Sequence, residues 1–580
     1  MPLESAVPYP DLQSPRCGVL RIGVLLDSFV VPAWVHTILA DVQSSEIARV
    51  SVVVRNATLP AGSGAWRRVR QTWVERAHFT YAAYEVLDRR LFQRRPDPFL
   101  RINAGELLAN VPVLDVVPHQ SRWSDRFPSE ALKHLHEYQL DVALRFGFRI
   151  LRGDVLRIAR HGVWSFHHDD ADVIRGGPPC FWEVMEGHPV TGSVLQILTE
   201  RLDGGRTIYR SWSSTHPRSV ARNREQVYWK SAAFVMRRLR DLHRTGSVTV
   251  TPGLDPDRSG AAELRRKPTN RAAVPLLARF AARAAGQWLR ARTHREQWLI
   301  AYRFHDRPPT TCAEVAEGVR PLVPPLDRSW ADPFPLCEAG RTYVLLEEYP
   351  FARRRGHIAA LELGPMGPIG HPVPVLERPY HLSYPFTFRW EGEVFMIPES
   401  SQARSVELYR CTRAPDRWEL VTRLFDGVRA TDVSVVEAGD RWWLFACMSR
   451  EETPTCHDEL FVFHAPRPTG PWTPHDANPV VSDARRARPA GAPFMAGDSL
   501  HRPAQDCSGR YGLAVRVQRV LRLNPREYSE ETVDTLSPTW LPGLLGTHTL
   551  NRGEGLILID GVRRIPRTPA AAFRWWDRSA

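Results

Sequence analysis

The apolar positions change their period twice along the chain. From Val19 to Leu26 they run almost unbroken, then recur at helical spacing through Trp34, Ile38 and Leu39, and run again at Val50–Val54. A buried strand, an amphipathic helix and a second buried strand predict a βαβ opening and hence a parallel sheet. Short apolar stretches predict further strands at Asp141–Arg145, Val163–Phe166 and Gly192–Leu198, with helices at Gly153–Ala159, Pro179–Met185 and Arg224–Leu242. Alternating elements of this length predict an α/β domain over residues 19–243.

Between Thr245 and Lys267 the text turns to Gly, Pro, Asp, Ser and Arg, the composition of an exposed linker. A basic amphipathic helix is predicted next, over Arg271–Arg292, with Leu277, Phe280, Ala284 and Trp288 on one face. Packing between domains is its expected use, and weak contact with a membrane surface is the alternative that its composition allows. The linker and helix together occupy 244–296.

From Gln297 to Arg564 the apolar residues alternate in short strands separated by Gly, Pro and Asp, which predicts an all-β region. A loose repeat runs through it: Asp332-Pro333-Phe334, Tyr384-Pro385-Phe386, Asp432-Val433-Ser434, then Asp506, then His548. Periods of roughly 40–50 residues are those of four-stranded propeller blades, so five starts predict a five-bladed β-propeller. The strand Gln297–Tyr302 is expected to pair with the segment around Gly555–Asp560, leaving no open sheet edge.

Length and composition agree with this division. A chain of 580 residues is too long for one core. A hydrophobic fraction of 43% with 24% charged residues is that of a globular protein. The net charge of +13 comes from arginines scattered over the whole length, since only Lys133, Lys230 and Lys267 are lysines. No basic run is interleaved with aromatics, so nucleic-acid binding is not expected. The eight cysteines form no CxxC pair and no His/Cys cluster at zinc spacing, so neither a metal site nor a disulfide framework is indicated. No leader or apolar spanning segment is seen, and a cytoplasmic location is the expectation.

The first half carries a set of motifs in order: Ser165-Phe166-His167, Arg175-Gly176-Gly177-Pro178 leading to Trp182, Thr191-Gly192-Ser193, and Asp203-Gly204-Gly205. This order resembles the folate-dependent formyltransferase family, over about Leu20 to Leu242. The resemblance implies a Rossmann-like fold and a 10-formyltetrahydrofolate donor, with His167 and Asp203 in the family's His and Asp roles. The family's Asn is Ser165 here, a shorter hydroxyl with a different donor geometry. Formyl transfer needs a base, an oxyanion donor and a carboxylate at one point. His168, Asp169 and Asp170 read as a solvated turn. No GxGxxG follows the first strand, so no dinucleotide is implied.

The second half resembles the glycosidase-like propellers of glycoside hydrolase families 43 and 32, and looks closer still to the N-terminal domain of plant glucosamine inositolphosphorylceramide transferases. The residues that carry this are Trp330-Ala331-Asp332-Pro333-Phe334, Leu346-Glu347-Glu348, Ile397-Pro398-Glu399, Asp432, Arg488-Pro489-Ala490-Gly491 and Arg502-Pro503-Ala504-Gln505-Asp506. Carboxylates gathered at blade starts suit glycoside chemistry, in which one stays ionised and another donates a proton. Glu399 is the candidate acid and Asp332 the candidate base, with Asp432, Asp506 and His548 beside them.

Three functions follow as expectations. The first is transfer of a formyl unit to an amino sugar or sugar-containing intermediate, with the propeller recognising the glycan. In the second, glycoside hydrolysis or glycosyl transfer takes place in the propeller, over a degenerate formyltransferase scaffold. The third is a non-catalytic saccharide-binding propeller. A small-molecule sugar or nucleotide sugar is the expected partner in each.

Overall fold

Ile22, Val24, Leu25 and Leu26 of the first strand, β1 (Leu20–Leu26), are almost wholly buried, as a central parallel strand covered on both faces requires. The computed structural model describes residues 18–58, 76–169, 174–201, 204–251, 264–449, 457–553 and 555–567. They fall into two units divided between Ala282 and Arg283.

In the first unit β1 is followed by α1 (Ala33–Ser44), β2 (Ala48–Asn56), β3 (Val113–Val116), α2 (Ser129–Glu137), β4 (Val142–Arg145), β5 (Val163–His167), β6 (Val190–Ile197) and β7 (Arg206–Ser214). They form one sheet in the order β7-β6-β5-β4-β1-β2-β3. The pairs from β5 across to β3 are parallel, whereas β5–β6 and β6–β7 are antiparallel. The parallel sheet expected from the opening is therefore mixed, with an antiparallel edge. Alternate residues feed two cores: Ile22 and Val24 pack with Trp34, Ile38 and Leu39 on one face, and Leu25, Ala143 and Val163 pack with Leu135 on the other.

Two expected helices differ. Gly153–Ala159 is a single 3-10 turn, Gly153–Arg157. Arg224–Leu242 is two helices, α3 (Val220–Ser231) and α4 (Phe234–Thr245). The Ser231 hydroxyl donates to the Tyr228 carbonyl at 2.9 Å, and Ala233 N–H turns back to the Lys230 carbonyl, which closes α3 in a tight turn. The basic helix is α5 (Asn270–Thr293), and the division of the units falls inside it. Ala273, Leu276 and Phe280 are its buried positions; Trp288, expected on that face, is 53% exposed and lies under the Arg292 guanidinium. Among the described residues no helix is long and apolar enough to cross a membrane.

The second unit is five antiparallel sheets in succession. The first is β10 (Arg328–Glu338), β11 (Arg341–Pro350), β12 (His357–Gly364) and β13 (Gly367–Leu376), after β8 (His294–Phe304) and β9 (Arg320–Leu322). The second is β14 (Ser383–Trp390), β15 (Glu393–Glu399), β16 (Ser405–Arg413) and β17 (Arg417–Asp426). The third is β18 (Ala430–Ala438), β19 (Arg441–Met448), β20 (Leu460–Ala465) and β21 (Thr473–Pro474). The fourth is β22 (Phe494–Ala496), β23 (Ser499–Asp506), β24 (Ala514–Leu523) and β25 (Tyr528–Leu536). The fifth joins β9 and β8 to β26 (Leu544–Gly546), β27 (Leu550–Gly553) and β28 (Leu556–Pro566).

β8 pairs with β28 along its whole length, Leu299 opposite Gly561 and Tyr302 opposite Leu558, so the expected pairing of the two ends is observed. The hairpin turns follow their chemistry. Ala339-Gly340 and Glu391-Gly392 hold positive φ at both central residues, the two-residue turn that matches strand twist. Adjacent sheets share cores, as where Phe334, Phe386, Val433 and Leu444 pack together.

Candidate functional site

In the first unit Ser165 and His167 stand two apart on β5 and so share a sheet face. Arg145, the residue opposite Ser165 on β4, occupies that face too; its Nη1 donates to Ser165 Oγ at 3.1 Å and its Nη2 to the Phe148 and Arg149 carbonyls. Burial lowers the pKa of this guanidinium. The structure thus brings two of the three expected groups together and adds a cation that the sequence reading did not foresee; Asp203 lies outside the described residues.

His168 and Asp169 are buried, not in a solvated turn, while Asp170 lies outside the described residues. His168 stacks on Tyr228 at 3.7 Å and its Nε2 is 3.0 Å from Ser231 Oγ; burial pushes it down to about 3. Asp169 accepts the Cys180 N–H at 2.8 Å beside Glu183; burial raises both carboxyls, and the charge of Glu183 raises Asp169 further. These partners arrive from α3 and the loop after β5, which periodicity does not reveal.

In the second unit the site is built by a bulge repeated in three sheets. Between Ala331 and Phe334, Ser383 and Phe386, and Thr431 and Ser434 the first strand carries one extra residue relative to its partner. Asp332, Tyr384 and Asp432 sit there with φ of 50°, 44° and 52°. Non-glycine residues held in this region are strained by about 1–3 kcal/mol each and cluster at functional sites. The residues preceding them pair with Glu347, Glu399 and Cys447 on the second strands. In the fourth sheet Gln505 N–H donates to the Arg488 carbonyl, which puts Gln505 at that place. In the fifth, Asp560 takes it, accepting the His548 and Thr549 N–H groups at 2.9 and 3.0 Å.

Asp506 is therefore not a strand start. It ends β23, a second strand, and its carboxylate is held by Arg516 at 2.8 and 2.6 Å and by the Ser508 N–H. The fourth repeat begins at Arg488-Pro489, where no acidic residue marks it.

The other candidates converge. Asp332 accepts the Tyr384 N–H at 3.2 Å and the Thr549 hydroxyl at 2.9 Å, and its own N–H donates to Asp560 at 3.1 Å. His548 lies between them, Nδ1 2.6 Å from Asp560 and Nε2 3.4 Å from Asp332, stacked on Trp298 at 3.9 Å. Burial pushes Asp332 up to about 6, with Asp432 and Asp560 adding to the effect and His548 opposing it. Burial works against protonation of His548, but Asp560 and Asp332 outweigh it and raise its pKa. The three side chains offer ligand atoms within 4.8 Å of one another, which is metal-ligand chemistry, although a protonated imidazole satisfies both carboxylates without one.

Asp432 is gripped by Arg488, Nε at 2.6 Å and Nη2 at 3.1 Å, and by Gln505 Nε2 at 2.6 Å. Burial pushes it up to about 7, Arg488 pulls it down, and the neighbouring Glu399 raises it. Glu399 takes Arg488 Nη2 at 3.3 Å and the Ser401 hydroxyl at 2.8 Å. Arg488 also lies under the Tyr511 ring, 5.0 Å from its centroid, with His457 Nδ1 at 3.1 Å. Glu347 completes the group: burial and then Asp332, Glu399, Asp432 and Asp560 raise it well above the usual carboxylate range. Its neighbour Glu348 points to the other face, where burial is outweighed by the His357 ring, 3.3 Å away, and by hydrogen bonds from Trp330 and Arg328, which together hold it at about 2.

Five carboxyls, one arginine and one histidine at a single buried centre can accept hydrogen bonds from sugar hydroxyls, or divide acid and base roles about a glycosidic bond. Sequence reading quoted Glu347, Arg488 and Gln505 within motifs but assigned them no role. In the sequence Asp560 stands only within the expected closing strand.

A family described as Glucosamine inositolphosphorylceramide transferase 1, N-terminal, matches residues 295–538. The protein named glucosamine inositolphosphorylceramide transferase 1 from Oryza sativa subsp. japonica is 32% identical over 240 residues, 41% of this chain and 31% of that protein. The chain thus spans about a third of the length of the curated relative it matches. Among solved structures, glycinamide ribonucleotide transformylase 1 from Symbiobacterium toebii is similar at a TM-score of 0.26 and 16% identity, covering 43% of this chain and 93% of that one. A thermostable family-43 glycoside hydrolase is similar at a TM-score of 0.28 and 12% identity, covering 35% of this chain and 76% of that one. The stretch matched by the plant transferase family contains Asp332, Glu347, Glu399, Asp432, Arg488 and Gln505, and ends before His548 and Asp560.

Proposed function

We propose that the second unit is a five-bladed propeller that binds a saccharide at its carboxyl centre, and that the chain serves a carbohydrate-directed transferase reaction. The observation that carries this is the convergence of Asp332, Glu347, Glu399, Asp432 and Asp560 on one point beside Arg488 and His548. The likeness of residues 295–538 to the plant transferase family supports the class of reaction, and the name of that family points to a hexosamine-containing ligand. Recognition is favoured over hydrolysis because Arg488 holds Glu399, the expected acid, and His548 and Thr549 hold Asp332, the expected base. Saturation-transfer NMR of the whole chain with methyl glycosides of hexoses and hexosamines, and with nucleotide sugars, tests it. Transfer to at least one sugar ring is expected; none from a folded sample would end the proposal.

Formyl transfer in the first unit is a second reading. It is favoured by the placement of Ser165, His167 and Arg145 on one face at the carboxyl end of a central strand, where open α/β sheets take ligands. A 10-formyltetrahydrofolate donor asks for three converging groups. The described residues supply His167 and a Ser165 hydroxyl already engaged by Arg145. Calorimetric titration with a stable analogue of that donor, on the wild type and on His167→Ala, decides it; no binding by folded protein would leave this unit as a scaffold.

A further inference from the structure

We infer that Glu347 is an uncharged carboxyl of the centre and presents its O–H to a saccharide oxygen that can only accept, such as a ring or glycosidic oxygen; this rests on the reading of the centre as a saccharide site. The five carboxyls differ in what surrounds them. Asp560 accepts three backbone N–H groups and touches His548. Asp332 accepts an N–H and a hydroxyl and has His548 at 3.4 Å. Asp432 has both arms of Arg488 and the Gln505 amide. Glu399 has Arg488 and the Ser401 hydroxyl. Each has protein donors within hydrogen-bond reach of its oxygens.

Glu347 is not so provided. Among the described residues its ionic partner is His381, whose Nε2 stands 3.4 Å from Oε1. The Gly356 N–H donates to His381 Nδ1 at 2.9 Å, so that nitrogen carries no proton and the ring is the neutral Nε2–H tautomer. Glu347 therefore faces a weak neutral donor and four other carboxyls: Asp332 on β10, Glu399 on β15, Asp432 on β18 and Asp560 on β28. The backbone closes over it as well. A Cβ at Gly356 would lie 2.6 Å from Glu347 Oε1 and 2.7 Å from His381 Cε1, so only glycine allows that approach. With four carboxyls able to accept and one able to donate, the centre matches a glycoside, whose hydroxyls give protons and whose acetal oxygens cannot.

Infrared spectroscopy of the whole chain at pH 8 tests the protonation without any ligand. The wild type minus Glu347→Gln should show loss of one protonated-carboxyl C=O band, and the wild type minus Glu348→Gln, at the neighbouring carboxyl held at about 2, should show none. A band intact in Glu347→Gln, or lost equally in Glu348→Gln, would overturn the inference. The donor role is read by titrating methyl glycosides of glucose and glucosamine. Glu347→Gln keeps a donor and should hold affinity within a few fold, while Glu347→Met should lose tenfold or more; equal affinities in the two variants would refute the role. If no glycoside binds the wild type, the saccharide reading fails and the donor role with it, while the infrared result still decides the charge.

Discussion

Replacing Arg488 by Met removes the cation that Asp432 and Glu399 share. Arg488 is 8% exposed, Asp432 2% and the Glu399 side chain 10%, so neither carboxylate can turn freely to bulk water. Removing one partner of such a buried pair costs about 3–5 kcal/mol, because the remaining charge is left uncompensated. The loss depends on pH with a definite sign. Burial and Glu399 already raise Asp432 from 3.8 to about 7, so the folded chain holds a proton there that the unfolded chain releases. Without Arg488 the folded value rises further. The penalty is then small below about pH 7, where both chains hold the proton, and grows as pH rises from there toward the variant's higher folded value. Urea unfolding followed by tryptophan fluorescence measures it, with Leu444→Ala, at a fully buried site, marking which transition belongs to the second unit. Arg488→Met should lower that transition by about 1 kcal/mol more at pH 8, one pH unit above the wild-type folded value, than at pH 5. Adding Asp432→Asn, which keeps an acceptor for Gln505, should recover more than half of the loss at pH 8. A loss below about 1 kcal/mol at pH 8, or the same loss at both pH values, would refute the reasoning.

Three further changes probe other parts of the account. The pKa of His548 is raised above 6.5, so its stabilisation is complete below that pH and is lost as pH rises through the folded value; wild-type stability should fall more steeply above pH 6.5 than that of His548→Phe, and parallel curves would contradict this. Tyr384→Phe strands the Gly491 N–H, now 2.7 Å from the phenol oxygen, and removes a contact to Ser434; a loss of about 1–3 kcal/mol is expected by denaturant unfolding, and one below about 0.5 would count against the bulge geometry. Asp169→Asn still accepts the Cys180 N–H but carries no charge beside Glu183, so it should stabilise the first unit by about 1 kcal/mol or more at pH 8 and have little effect at pH 5; destabilisation at pH 8 would show that the pair is not strained by charge.

Much of this centre was legible in the sequence because an acidic or aromatic residue before Pro-Phe repeats at each of the first two bulges, and Thr431-Asp432 repeats it more loosely. The signal failed at the fourth sheet. There Pro489-Ala490-Gly491 replaces the acidic bulge, and the match slid onto Asp506 of the following strand. Glu347 and Glu348 show a different limit. They are adjacent and chemically alike, and only the strand's alternation decides that one faces four carboxyls and the other faces Arg328, Trp330 and His357. Arg145 and Arg488 were hidden among 74 arginines, since composition cannot tell a buried clamp from a solvated side chain. In the first unit, burial of His168 and Asp169 depends on Tyr228, Ser231 and Glu183 arriving from other elements, which no local pattern announces.

The most direct test of the central claim is calorimetric titration of the whole chain with the glycosides and nucleotide sugars above, in the wild type, Asp332→Asn and His167→Ala. The account predicts binding of at least one saccharide with a Kd of about 1 mM or tighter, which corresponds to roughly −4 kcal/mol. Asp332→Asn should weaken that binding tenfold or more, and His167→Ala should leave it unchanged. No heat from a folded wild type, or binding indifferent to Asp332 and abolished by His167→Ala, would contradict a saccharide site in the second unit.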